Sequence, residues 1–291
     1  MPSKVRIQRA APARGRVSLA QRRKKWRIVW FSLAGVLLIA LVAGFLYVVR
    51  LPELSIQTVT VSGAYALSAD DIRTAAEREL SDSGLVLIPR HMIFAYPRAA
   101  LEAKLLQEFP QLQSVNITRD SLLGTTLQIK VVERTTYGIW CNPLAISSVA
   151  SSTELSAGSA DACYEMDASG FIFAPADGFA EYYLFYGGVA TDSPPITQHF
   201  YPEHIDTLRA LLAKLSPVGL DPHIIRVQDG SDVDIELLGG MHIKASLDMT
   251  SEESISALQT ALSSDALKDK RDTIQYIDVR FGNRVYFKFK E

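Results

Sequence analysis

Cys141 and Cys163 are the only cysteines in the 291-residue chain, so thiol chemistry has one possible pair. A catalytic thiol needs a base beside it, and the sequence nominates none. A disulfide suits the pair better, with free thiols as the remaining alternative. Cys141 ends one strand-like run and Cys163 begins the next, so the two bracket a Ser/Ala-rich segment. Closing a loop of that length is worth about 3 kcal/mol in the chain-entropy model. The five histidines are His91, His199, His204, His223 and His242. His199 and His204 are five apart, which does not put them on one helix face, and no H-E-x-x-H accompanies them. No metal site is expected. The paired acids Asp70-Asp71 and Glu252-Glu253 are explained by helix N-termini. The chain has no G-x-S-x-G, S-x-x-K, P-loop or G-x-G-x-x-G. The reading is therefore no catalytic residue, no cofactor, no small-molecule substrate and no enzyme.

The charges are segregated. Residues 1–27 hold ten Lys/Arg and no acid, so the overall charge of −2 conceals a remainder of −12. Ile28–Val49 is 22 residues without a charge, about 33 Å as a helix and enough for a hydrocarbon core of about 30 Å. A cleaved signal peptide would have a shorter apolar run and a small-x-small exit. An uncleaved anchor with residues 1–27 cytoplasmic and residues 50–291 outside follows from the positive-inside rule. The basic tail, of Ala/Pro/Arg character, is read as disordered. Its charge serves topology and anionic lipid rather than nucleic acid, and an acidic exterior has no electrostatic case for nucleic acid either.

Residues 54–134 read as β-α-α-β-β. Ile56–Val61 alternates as a strand. Ser68 caps a helix over Ala69–Leu80, and Gly84 closes that unit. Pro97 starts a second helix with Leu101, Leu105 and Phe109 on one face, and Pro110 stops it. Strands over Leu112–Thr118 and Thr125–Val132 follow, joined at Leu123-Gly124. Residues 135–291 read as a sheet-dominated domain. Residues 142–162, Ser/Ala-rich with few large apolar groups, form a mobile loop. Tyr137–Cys141, Cys163–Asp167, Phe171–Phe173, Tyr182–Tyr186, Ile224–Gln228, Val233–Leu238 and Met241–Ala245 are strands. Helices cover Pro202–Leu215 and Ser251–Leu262, the latter capped by Ser251. Ile274–Arg280 and Val285–Phe289 form a closing hairpin. The fold class is α+β: one transmembrane helix, a small β-α-α-β-β domain and a larger β domain with packing helices.

The strings "IQTVTVSGAYALSADDI", "LEAKLLQEFPQLQSVNITRD" and "LQIKVVERTTYGIW" resemble the POTRA domain of the FtsQ/DivIB family of bacterial cell-division proteins. The matching features are Val61 and Gly63, Pro110 and Leu112, Arg119, and Glu133-Arg134. "MDASGFIF" and "YIDVRFGNRVYFKF" resemble the β domain of the same family. The family often has Pro where this chain has Leu123-Gly124 and again at Thr136; both sites are turns that other residues can serve. The resemblance implies a non-enzymatic, single-pass scaffold of the division septum. Its implied partners are FtsB (DivIC)-like and FtsL-like membrane proteins, with links to septal peptidoglycan synthesis and contact with an FtsK-like translocase. The POTRA segment is then a recruitment surface or a support for the β domain. POTRA-containing assembly or secretion factors carry several such domains and a barrel, which this chain lacks. An extracytoplasmic cell-wall enzyme wants a catalytic constellation.

By the same resemblance the partner docks on the C-terminal part of the β domain. The physical candidate is the last strand: Arg284, Val285, Tyr286, Phe287, Lys288 and Phe289. A terminal strand can leave an edge unpaired, and such an edge templates strand addition. Alternation puts Val285, Phe287 and Phe289 on one face as core, and Tyr286 and Lys288 on the other. Tyr286 is the aromatic anchor. Lys288 and Lys290 either attract acidic partner residues or guard a bare edge.

Overall fold

The computed structural model describes residues 19–49, 55–81, 92, 96–121, 124–142, 163–178, 182–189, 194–228, 230–268 and 270–291. The basic tail up to residue 18, Gly84, His91, Leu123 and residues 143–162 of the Ser/Ala-rich segment lie outside them. The chain divides into two compact units. One is Met1–Val59, Glu77–Pro97 and Arg119–Leu127; the other is Thr60–Ala76, Arg98–Thr118 and Gln128–Glu291.

Helix α1 (Leu19–Val49) opens the first unit. Within it Trp26–Tyr47 is long and apolar enough to cross a membrane by length and composition, and it is exposed along its length. Trp26 and Trp30 sit one turn apart at its start, ring centroids 6.2 Å apart.

A five-element module follows: β1 (Thr58–Ser62), α2 (Ala69–Ser81), α3 (Arg98–Glu108), β2 (Leu112–Arg119) and β3 (Thr126–Glu133). The sheet order is β1-β3-β2, so the last strand is central. Ser68 caps α2, its hydroxyl accepting the Asp71 N–H at 3.3 Å. Ile72, Ala75, Ala76 and Leu80 are buried at helical spacing, as are Leu101 and Leu105 of α3 and the alternate residues Leu127, Ile129 and Val131 of β3. Two of the motif positions have plain structural reasons. Gly63 has φ +88° and passes the β3 backbone so closely that a Cβ would lie 2.2 Å from the Val131 carbonyl oxygen. The Glu133 carboxylate accepts the successive backbone N–H groups of Tyr65, Ala66 and Leu67 at 2.9–3.2 Å. Burial pushes that carboxyl up, and the three N–H bonds more than offset it, so it titrates below the usual range.

The remaining elements form one mixed sheet. They are β4 (Gly138–Cys141), β5 (Cys163–Met166), β6 (Ile172–Pro175), β7 (Tyr183–Tyr186), α4 (Ile205–Leu215), β8 (Pro222–Val227), β9 (Asp232–Leu237), β10 (His242–Ser246), α5 (Ser251–Ser263), β11 (Ile274–Phe281) and β12 (Arg284–Phe289). The nine strands run β12-β11-β10-β9-β8-β7-β4-β5-β6. Three neighbouring pairs are parallel: β4/β7, whose connection runs through β5 and β6, and β7/β8 and β10/β11, whose connections contain α4 and α5. Ile205, Leu208, Leu211, Leu212 and Leu215 of α4, with Leu258 and Leu262 of α5, bury against Trp140, Phe185, Ile225, Ile235, Ile243 and Ile277. The opposite face of β8–β11 is polar and paired: Arg226 with Glu236, His242 with Asp234, and Arg280 with Asp232 and Asp278.

Several boundaries differ from expectation. The α5 cap is Thr250, not Ser251. Thr250 accepts the Glu253 N–H while Glu253 accepts the Thr250 N–H, a reciprocal box that leaves Ser251 buried as the first helical residue. The α4 helix begins at Ile205 rather than Pro202, because His204 at its N-cap has φ −126° and ψ 0°, outside right-handed helix. Cys141 and Cys163 are cross-strand partners and form a disulfide.

Candidate functional site

The nine-stranded sheet has two margins, and they differ. At β6, residues 197–200 lie along the outer side. The Ile172 N–H donates to the Gln198 carbonyl (3.0 Å), Thr197 N–H to Ile172 (2.8 Å) and Phe200 N–H to Gly170 (2.7 Å). Pro175 ends the strand without a donor. At β12, no described residue pairs with the outer side.

The β12 strand is antiparallel to β11 and joined to it by a tight turn in which Phe281 pairs with Arg284 and Gly282 takes φ +61°. The Lys290 N–H donates inward to the Thr273 carbonyl at 2.7 Å. Main-chain groups alternate along a strand, so those of Lys288, Tyr286 and Arg284 also face β11. Those of Val285, Phe287 and Phe289 therefore face outward. Three of the six predicted residues thus turn their main-chain N–H and carbonyl groups to the outer side, where a tenth strand could pair with them.

The side chains divide less simply than alternation implies. Val285 and Phe289 are half-buried and pack on the core beneath α5, as expected. Phe287 is 40 % exposed and is not core. It has a strand on one side only, and its ring contacts Phe289 at 5.5 Å. Tyr286 is 49 % exposed and meets Phe281 edge-to-face at 5.4 Å. A register shift between Asp278 and Phe281 accompanies this exposed aromatic pair. Lys288 is exposed, 3.7 Å from Glu291; Arg284 is exposed; Lys270 lies 5.6 Å from the Phe289 ring. Beside the strand's start, Val285 joins Met249, Ala257, Ala261, Gly282 and Asn283 in lining a shallow cleft of about 800 Å³.

Behind the edge stands a charge knot that sequence reasoning missed. Arg280 forks onto Asp278 through Nε (2.9 Å) and Nη2 (2.7 Å), and reaches Asp232 of β9 through Nη1 (2.6 Å). Asp278 is the cross-strand partner of Tyr286. Burial pushes the Asp278 carboxyl up, and Arg280 more than offsets it, holding it below the usual carboxylate range. The Arg280 guanidinium is held above its ordinary value by Asp278 and Asp232. The available signal was the i, i+2 spacing of an acid and a base on one strand face. Asp232 lies 48 residues away, a distance no local pattern reports.

The charge around this edge opposes that of the chain between the apolar helix and residue 267. Residues 268–291 carry seven Lys/Arg against four Asp/Glu, whereas residues 50–267 carry thirteen against twenty-eight. The edge is thus a basic margin on an acidic body, a field that favours an acidic strand.

Each of the four described histidines has its own surroundings: His199 meets Phe171 (5.0 Å), His204 meets Tyr201 (4.9 Å), His223 lies on β8, and His242 is bonded to Asp234 at 2.7 Å. Among the described residues no group of three or more His, Cys, Asp or Glu is placed to hold a metal. No protein-family model matches the chain, and no curated protein matches it.

Proposed function

We propose that this protein is a single-pass, membrane-anchored scaffold of the bacterial division septum, of the FtsQ/DivIB type. The observation that carries the reading is the β12 margin, the one edge of the large sheet left free among the described residues. It presents three outward main-chain pairs, exposed Tyr286 and Phe287, and basic flanks. The partner is an acidic segment of an FtsB/DivIC-like protein that adds as a strand, with an FtsL-like protein and septal peptidoglycan synthases reached through it. The apolar helix Trp26–Tyr47, the ten Lys/Arg of residues 1–27 and the β-α-α-β-β order after the helix all support this reading. The membrane-proximal module answers to a POTRA domain, which serves recruitment by an FtsK-like protein. The N-terminus is cytoplasmic and residues 50–291 are extracytoplasmic. A disulfide in this part of the chain suits an oxidising compartment.

Affinity capture of the full-length tagged chain from dividing cells tests this. The expected result is recovery of small coiled-coil membrane division proteins, and their loss with Tyr286→Ala plus Lys288→Glu. In a direct titration the double variant weakens binding of the partner segment tenfold or more, about 1.4 kcal/mol, with circular dichroism unchanged. Unchanged affinity in a folded variant moves the site elsewhere. Activity of a cytoplasm-only reporter fused after Glu291 overturns the topology.

A further inference from the structure

Arg134 is the residue immediately after β3, and four groups converge on it. Its own N–H donates to the Gln111 carbonyl at 2.8 Å, and its Nε donates to the Pro110 carbonyl at 3.1 Å. Both acceptors lie in the turn between α3 and β2. Its Nη1 donates to Asp167 Oδ2, and its guanidinium carbon stands 4.0 Å from the centroid of the Phe171 ring. Asp167 and Phe171 belong to the turn between β5 and β6. One planar side chain therefore joins the α3–β2 turn to the β5–β6 turn. All the residues concerned lie in the same compact unit.

The receiving turn is built around the ion pair. Asp167 Oδ1 accepts the Ser169 N–H (2.8 Å), the Ser169 hydroxyl (2.6 Å) and the Phe171 N–H (3.1 Å), leaving Oδ2 for Arg134. The side chains of Arg134 and Asp167 are 16 % and 9 % exposed. Both charges are thus largely desolvated, and removing one leaves the other buried without its partner. Arginine is suited to this place: a planar fork can bond a carbonyl and a carboxylate while stacking on a ring, and an ammonium cannot do all three.

We propose that Arg134 is a positioning latch. It holds the α3–β2 end of the small module against the β5–β6 turn, so that a load or a binding event on one is delivered to the other instead of being absorbed in the short connection Thr135-Thr136. The latch is a conformational device of the fold and does not depend on the partner assigned above.

The test measures distance rather than binding. The two native cysteines are joined, so nitroxides can be placed at Lys104→Cys on α3 and Asp265→Cys beyond α5, both exposed. Pulsed dipolar spectroscopy on the full chain in nanodiscs then reports their separation. The latched protein gives one narrow distribution. Arg134→Gln broadens it about twofold or more, and Asp167→Asn does the same while keeping acceptors for Ser169 and Phe171. Far-UV circular dichroism stays unchanged in both. Arg134→Lys, which keeps the charge but not the fork, also broadens it. A folded Arg134→Gln or Asp167→Asn chain with the original width overturns the proposal. Failure of both to fold overturns it as well, since the pair is then core and not a latch.

Discussion

Phe287→Pro distinguishes strand addition at β12 from every other way of binding there. The Phe287 main-chain N–H faces outward, so proline removes a donor that the folded monomer does not use. Proline at an outward-facing edge position is compatible with a sheet, and one facing the ladder is not. Phe287→Ala separates the loss of the ring from the loss of the N–H. In a strand-added complex, the proline leaves a partner carbonyl buried without a donor, at about 1–3 kcal/mol. That corresponds to affinity lower by roughly tenfold to a hundredfold than for Phe287→Ala. The reciprocal variant is Lys288→Pro. Its N–H faces β11, where Lys288 pairs with Tyr276, so it destabilises the monomer itself by lowering the denaturation midpoint. The assay is anisotropy titration of a labelled partner segment against the full chain in nanodiscs, with urea unfolding run in parallel. Equal affinities of folded Phe287→Pro and Phe287→Ala refute strand addition. Equal stabilities of Phe287→Pro and Lys288→Pro refute the inward–outward assignment.

Reduction of Cys141–Cys163, or its replacement by serines, is expected to lower stability by about 3 kcal/mol for a loop of this length, read as a shift in denaturation midpoint. The oxidised chain has an intact mass about 2 Da below the reduced one, and two alkylatable thiols in the native protein would contradict the pairing. Asp167 and Asp278 both titrate below the ordinary range: burial raises each, and hydrogen bonds from Ser169 and Arg134, or from Arg280, outweigh it. A depressed folded value means their contribution is complete above about pH 4 and is lost as pH falls through the folded values. Asp278→Asn should therefore flatten the acid limb of the stability profile, and an unchanged acid limb counts against the Arg280 knot. Binding at the basic margin is expected to weaken with added salt; salt-independent association removes the electrostatic part of the reading. If a chain lacking residues 54–134 reaches the septum normally, recruitment by the small module is wrong.

The sequence alone determined whatever is written in a short period. The charge-free run after ten bases specifies a membrane-length helix because hydropathy is local. Alternation in β3 and β9, and the three-to-four spacing of Leu208, Leu211, Leu212 and Leu215, specify which faces are buried, since side-chain direction repeats every two or 3.6 residues. Gly63 and Glu133 were legible as motif positions, although their reasons, a 2.2 Å approach and a carboxylate clamp, appear only in three dimensions. The last strand was legible as an edge because it ends the hairpin. Its exposure was not. Alternation predicts Phe287 as core, and only the margin of a finished sheet, with a neighbour on one side, leaves it 40 % exposed. The capping of α5 by Thr250 rather than Ser251 turned on one residue of phase, which local propensity cannot resolve. Strand order, the covering of β6 by residues 197–200, the Asp232–Arg280–Asp278 knot and the Arg134 latch were decided by tertiary structure alone. Each joins residues that the chain brings together only once the sheet has assembled, and the free energy that selects such pairs lies in burial and desolvation, which no window of sequence contains.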